Sequence, residues 1–376
     1  MSMKGLKMNE RSFDTIVIGG GQAGLAVGYH LARQGGNFMI LDNNFRTGDS
    51  WRSRWDSLRL FTPSQFNGLP GMAFPVPKNY MPTKDEAADY LEGYARHFDL
   101  PILHGVKIDA LDRINQGYRL SSSTATFFAK NVIIATGPFQ LPKTPVMAAE
   151  LDPAIFQIHS SAYSNPGQIH AKSVLVVGAG NSGAEIALEI KRADKHVYLS
   201  GRDVGRIPAN SRFGKIFDGR PIWWFMSNVL SVKTPMGRKI RETEFSHGTP
   251  LGRATRQELD DAGVELAPRL SAIRSGQPQL EDGRIISVEG VIWATGLRQD
   301  YAWINLPIFD ENSLPVHIRG VVPGAPGLYF IGLPFQTALS SSLLGGVGTD
   351  ARYIVEQVFR NSKTEMFPKL IDAQGI

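Results

Sequence analysis

The first strongly apolar run of the chain, Thr15-Ile16-Val17-Ile18, is short and β-branched, with no polar alternation. This is the pattern of a strand covered on both faces within a parallel sheet. The run closes on Gly19-Gly20-Gly21-Gln22-Ala23-Gly24, after which Ala23, Val27 and Leu31 recur at helical spacing and predict a helix through about Gln34. Phe38–Leu41 predicts the next strand, and it ends in Asp42. The same order returns at Val174–Val177. There a buried strand, the turn Gly178-Ala179-Gly180-Asn181-Ser182-Gly183, a helix to about Arg192 and a strand His196–Leu199 follow one another. Two more apolar runs, Asn131–Ala135 and Val291–Ala294, each close on an Ala-Thr-Gly turn: Ala135-Thr136-Gly137 and Ala294-Thr295-Gly296. A last run, Leu328–Ile331, ends at Gly332. Ser340-Ser341-Ser342-Leu343 then leads into a helical stretch reaching about Phe359, with the serines expected as N-caps.

Strands alternating with helices in this order predict an α/β fold of two Rossmann-like, doubly wound dinucleotide-binding domains, one inserted in the other. The expected boundaries are 13–165 and 290–360 for the outer domain and 166–289 for the inserted one, with tails at 1–12 and 361–376.

Composition narrows the chemistry. The chain has 376 residues and no cysteine, which excludes a disulfide scaffold, a thiolate-held metal and a redox-active cysteine pair. Its eight histidines show no metal spacing, and no metal site is expected. Any redox chemistry must therefore be carried by bound organic cofactors. The net charge of +5 suits phosphate-bearing ligands, and the basic residues are too dispersed for a nucleic-acid surface. Met1–Arg11 lacks the apolar core of a secretory signal, and no stretch reaches the ~18 apolar residues of a membrane span. A cytoplasmic protein is expected. The apolar segment Pro221–Met226 is expected to be core or a lid, in preference to a membrane contact.

The glycines have a physical reading. Gly19, Gly21 and Gly24, like Gly178, Gly180 and Gly183, give G-x-G-x-x-G between a strand and a helix. The spacing provides a tight turn, close approach of backbone to a pyrophosphate, and tight helix–strand packing. Asp42, eighteen residues past Gly24, is placed to accept hydrogen bonds from ribose hydroxyls, which suits FAD. The strand after the second turn runs instead into Ser200-Gly201-Arg202, where a hydroxyl and a guanidinium suit the 2′-phosphate of NADPH.

With these motifs in place, the chain resembles the class B flavoprotein monooxygenases over roughly Phe13–Arg360. The resemblance is carried by both glycine turns, by Gly48-Asp49-Ser50-Trp51-Arg52, by Leu58–Pro63, by Tyr80–Lys84, by His159–Tyr163 and by the two Ala-Thr-Gly turns. It implies an NADPH- and O2-dependent enzyme that oxygenates a small organic substrate, by N/S oxidation or Baeyer–Villiger chemistry, through a flavin C4a-hydroperoxide. It also implies that Ser50, Trp51 and Arg52 lie over the flavin, that Thr62, Pro63 and Gln65 shape the oxygen-activating site, and that His159 and Tyr163 belong to the linker between domains. The expected cofactor set extends to Gln22, Ala23, Asn43, Leu60, Pro82, Thr83, Val106, Asn181, Ser182, Gly201, Ser342 and Leu343. No asparagine stands within Phe61-Thr62-Pro63 to match the one that many N- and S-oxygenating members place beside the flavin. A plain NADPH-dependent reductase or oxidase, and a non-catalytic redox sensor, share the nucleotide motifs and stay open at this point, as does a homodimer.

Overall fold

The computed structural model of the chain describes residues 9–205, 216–244 and 251–366. Its first part runs β1 (Asn9–Ile18), α1 (Gln22–Arg33), β2 (Phe38–Asp42), α2 (Asp49–Arg52), α3 (Lys84–His97), β3 (Ile102–His104), β4 (Ile108–Ile114), β5 (Gly117–Ser122), β6 (Ala125–Ile134) and β7 (Leu141–Pro142). It continues with β8 (Phe156–His159), β9 (Ser173–Val177), α4 (Asn181–Arg192), β10 (His196–Ser200), α5 (Arg220–Trp224), α6 (Pro235–Glu244) and α7 (Arg256–Ala262). The remainder is β11 (Glu265–Ala267), β12 (Leu270–Arg274), β13 (Gln277–Leu280), β14 (Gly290–Trp293), β15 (Leu297–Arg298), β16 (Leu328–Phe330) and α8 (Gly348–Met366).

The first sheet has seven strands in the order β3-β2-β1-β6-β5-β4, with β16 parallel on the far half of β6. Alternation along β1 divides its side chains between two cores. Val17 joins Leu25, Leu31 and Ile354 beneath α1 and α8, whereas Ile16 and Ile18 join Val132, Leu328 and Phe330 on the other face. Both faces being covered explains the unbroken apolar run at Thr15–Ile18. The second sheet, β11-β10-β9-β14-β8, is wholly parallel. Val174 and Val176 of β9 face α4, and Leu175 and Val177 face the opposite core. Trp55 and Leu58 of the first domain pack in the α4-side core beside Ala184 and Ala187, so the two domains interlock. No helix among the described residues is long and apolar enough to cross a membrane.

Four expectations change. Phe156–His159 and Gly290–Trp293 pair within the second sheet, so the chain changes sheet before 156 and after 293, not at 165 and 290. The antiparallel pair β7–β15 ties these two crossings together. Residues 9–12 are no tail, because they pair with Ala125–Phe128. Finally, Ser340–Ser342 do not cap the last helix. They form a separate 3₁₀ turn, Leu339–Ser342, and α8 starts only at Gly348.

Candidate active site

The two glycine turns have nearly the same geometry. Gly19 and Gly178 both sit at φ +111°, a left-handed conformation that favours glycine, and a Cβ on either would collide with the carbonyl of Ala135 or Ala294. Gly19 N–H donates to Leu41 O at 2.8 Å, and Gly178 N–H to Ser200 O at 2.7 Å. Gly24 and Gly183 lie so close to the carbonyls of Gly19 and Gly178 that no side chain fits. Gly21 and Gly180 differ from these. Each has ordinary extended backbone, φ/ψ −78°/−172° and −77°/−173°, and no atom within 4 Å of where a Cβ would stand. Each is also the N-cap of its helix, with no side chain capping it and no acid in the first turn. Two helix starts without a side-chain cap therefore turn the positive end of the helix dipole toward the glycine turns. Gln22 and Ala23 open the first helix, Asn181 and Ser182 the second.

Asp42 ends β2 beside Gly20 and is buried. Burial pushes its carboxyl above the usual range, and hydrogen bonds from Asn44 oppose that shift. The asparagine bound to it is Asn44, by backbone N–H at 3.2 Å and Nδ2 at 3.1 Å. Asn43, expected in the site, is exposed. Val106 is buried and donates its N–H to Asp42 O at 2.9 Å.

Ser50, Trp51 and Arg52 lie on the short helix α2, and Trp51 packs partly on the first core. Arg52 departs from expectation. Its guanidinium donates to Thr47 O at 2.8 Å and to Asp89 and Glu92 of α3, both at 2.8 Å, so it anchors the loop to α3. Beyond it, Leu60 N–H donates to Pro82 O at 2.7 Å, and Thr83 caps α3 in a capping box with Glu86. Thr62 donates its hydroxyl hydrogen to Asn67 Oδ1 at 2.5 Å, and Asn67 Nδ2 returns a bond to Thr62 O at 2.8 Å. Asn67 is fully buried. Sequence reasoning missed it because five residues separate it from Thr62, and only the 3₁₀ turn Ser64–Phe66 folds it back.

Gln65 is also not a free side chain. Its Nε2 donates to Asn79 Oδ1 at 2.9 Å and to Asp218 O at 3.0 Å, and its Oε1 accepts from Asn79 N–H at 2.8 Å. This amide clasps residues 216–232, contributed by the second domain. Trp223 of that segment stacks on Phe66 at 4.9 Å and 13°. Pro221–Met226 is thus a lid, with Trp224 60% exposed. Trp223 borders an open cavity of about 330 Å3, lined also by Gln65, Phe66, Leu69, Met72 and Gly345. Leu230 and Val232 hydrogen-bond the backbone of Thr337 and Leu339, which brings the lid against the turn leading to Ser342 and Leu343.

At the second turn, Ser200 is corrected. It is 1% exposed, and its hydroxyl donates to Pro268 O at 2.8 Å and accepts from Leu270 N–H at 2.9 Å, leaving nothing for a phosphate. Gly201 passes against Ala179, where a Cβ would come within 2.6 Å of the Ala179 nitrogen. Arg202 is exposed just beyond. At the crossings, Gln140 Nε2 donates to Thr136 Oγ1 at 2.8 Å, Thr295 Oγ1 donates to Lys143 O, and His159 Nε2 lies 3.0 Å from Gly296 O. Gly137 and Gly296 take positive φ at the two exits, +72° and +84°. Tyr163 is buried and donates to Glu189 of α4 at 3.0 Å.

Residues 16–213 match the pyridine nucleotide-disulphide oxidoreductase family. The chain is 40% identical to an uncharacterised CzcO-like oxidoreductase of Geobacillus kaustophilus, over 93% of this chain and 99% of that one. It is 33% identical to a probable indole-3-pyruvate monooxygenase of Arabidopsis thaliana, over 81% of this chain and 77% of the relative. Among solved structures, a flavin-containing monooxygenase of Stenotrophomonas maltophilia superposes with a TM-score of 0.75 at 26% identity, covering 93% of this chain and 99% of the other.

Proposed function

The chain belongs to the pyridine nucleotide-disulphide oxidoreductase family as a flavin monooxygenase-type oxidoreductase, and on that premise we propose that it is an NADPH-dependent FAD monooxygenase acting on a small organic substrate with O2. The observation that carries the reading is the pair of uncapped helix starts, each facing a cradle that a Cβ at Gly21 or Gly180 would fill, in a chain without cysteine. The cradles fit the pyrophosphates of two dinucleotides. The missing cysteines argue against the disulphide chemistry in the family's name.

In this reading Gly19–Gly24 and the buried carboxylate of Asp42 hold FAD, with Ser50, Trp51, Leu60, Pro82, Thr83, Ser342 and Leu343 around it. Gly178–Gly183 hold NADPH, and Arg202, rather than Ser200, reads its 2′-phosphate. Bound FAD would take hydride from NADPH and pass the electrons to O2, so no side chain need act as nucleophile. The protein's own part is to bind, orient and exclude water. The Thr62–Asn67 pair and Pro63 fix the backbone that approaches the ring, and the Gln65 clasp holds the Trp223 segment at the edge of the open cavity.

The test is transient kinetics on the flavin-loaded protein. NADPH should bleach the flavin without oxygen, and NADH should do so more slowly. When the reduced protein meets O2 with NADP+ bound, H2O2 release should lag behind O2 uptake. Release without a lag would make the protein an oxidase, and no bleaching would make it a non-catalytic flavoprotein.

A further inference from the structure

The segment Leu251–Ala254 belongs to none of the motifs read from the sequence, yet it lies between the second nucleotide turn and the chain that leads to Thr62. Gly252 N–H donates to Asn181 Oδ1, on the first residue of α4, at 2.7 Å. On its other side Gly252 abuts Phe61, so closely that a Cβ would stand 2.8 Å from the Phe61 Cβ. Leu251 and Ala254 are buried with Ala184, Ala187 and Trp55, and a capping box at Thr255 starts α7 directly afterwards. The segment is therefore held at both ends.

Arg253 reaches across the seam between the domains. Its Nη1 lies 3.2 Å from Glu185 Oε2 on α4 and donates to Arg59 O, in the first domain, at 3.5 Å. Arg59 is three residues before Thr62 and is itself fixed by Tyr80 Oη at 3.2 Å and Met81 O at 2.9 Å. The Glu185 side chain is only 14% exposed, so the pair is screened far less than a surface one. One guanidinium thus joins the helix that starts at the second turn to the strand of chain that leads to Thr62.

We propose that Arg253 is a positioning residue that sets the distance between the nicotinamide nucleotide and the flavin; the inference rests on the monooxygenase reading of these two turns. On that reading bound NADPH would supply hydride to bound FAD, leaving NADP+ and reduced flavin. The rate of that transfer depends steeply on separation, whereas affinity for each nucleotide resides in its own glycine turn. Loss of the tie should slow transfer without loosening either nucleotide.

The experiment compares Arg253→Met and Arg253→Lys with the parent, each loaded with FAD. In Arg253→Met the limiting rate of anaerobic flavin reduction by NADPH should fall roughly 10- to 100-fold. The dissociation constant of NADP+, from equilibrium dialysis, should stay within about threefold. Backbone amides of Leu60, Phe61 and Thr62 should exchange hydrogen faster. Lysine keeps the charge and should restore most of the rate. Because Arg253→Met strands a buried carboxylate, the double variant Glu185→Gln/Arg253→Met repeats the test with that charge removed. Weakened NADP+ binding with an unchanged limiting rate would make Arg253 a direct nucleotide ligand and overturn the proposal. Unchanged rate and unchanged exchange would overturn it too. If the parent protein is not reduced by NADPH at all, the functional reading fails first, and the exchange at Leu60–Thr62 still decides whether the tie exists.

Discussion

Gly21 and Gly24 stand three residues apart in one turn and would answer a side chain in opposite ways. At Gly21 the backbone is ordinary and the space open, so Gly21→Val should fold and melt normally but emerge from gel filtration without flavin colour. At Gly24 a methyl group meets the Gly19 carbonyl, so Gly24→Ala should lose about 1–3 kcal/mol or more of stability before cofactor binding is considered. Thr62 changes its expected part in a similar way. Its hydroxyl hydrogen is taken by buried Asn67, so Thr62→Val leaves the Asn67 oxygen without a donor and should cost about 1–3 kcal/mol in thermal melts. A variant that melts like the parent would free the hydroxyl for a role at the ring. At the other turn, Arg202→Ala should raise the KM for NADPH roughly ten- to a hundredfold and leave NADH untouched. Ser200→Ala should leave the NADPH/NADH ratio alone and lower only stability, because its hydroxyl closes β10 onto Pro268 and Leu270.

Helix α4 brings a titratable group into the seam. Burial pushes the Glu185 carboxyl up to about 7, more than the attraction of Arg253 pulls it down. Its folded pKa then lies above its unfolded one, so the native state binds the proton more tightly. Stability attributable to this group is full below the ordinary glutamate range, falls as pH rises toward 7, and is level above that. Melting temperatures of the parent, compared with Glu185→Gln between pH 4.5 and 8, should show a fall in the parent that the variant lacks; parallel curves would refute the shift. Elements of this kind were readable where backbone need dictates residue type. The buried strands and both glycine turns stood in the apolar runs and in Gly19 and Gly178, whose φ few other residues adopt. What escaped notice depends on distant partners. Asn67 becomes a partner of Thr62 only through an intervening turn, Ser200 meets Pro268 across sixty-eight residues, and Arg52 finds α3 at Asp89 and Glu92. No local pattern records such meetings, and they gave Thr62, Ser200 and Arg52 other partners while the buried strands formed where the apolar runs lie. The start of α8 was misplaced for a related reason: Ser341 Oγ serves Thr337 and Ala338 N–H in its own turn and is no cap for the helix.

At the scale of the molecule, the two domains exchange parts. The first lends Trp55 to the core of the second, and the second lends residues 216–232 as a lid to the first, fastened by Gln65 on Asp218 and by Trp223 on Phe66. The lid fastening should be separable from nucleotide binding. Gln65→Ala should leave FAD content and NADPH-driven reduction unchanged, speed proteolytic cleavage within 216–232, and increase the H2O2 released per NADPH consumed. Unaltered cleavage and unaltered leakage would leave Gln65 as a surface ornament of its turn.

That the two glycine turns agree to within a degree or two in φ and ψ and within a tenth of an ångström in their strand contacts has a consequence for the protein's redesign. Such agreement is what a single backbone requirement, close approach of a helix start to a pyrophosphate, imposes twice. On the proposed reading the repeated part is deaf to the identity of its nucleotide, and discrimination would reside at the next strand end: Asp42 in one, Arg202 in the other. Breeding this enzyme toward a cheaper reductant would then leave every glycine alone and work only around Arg202.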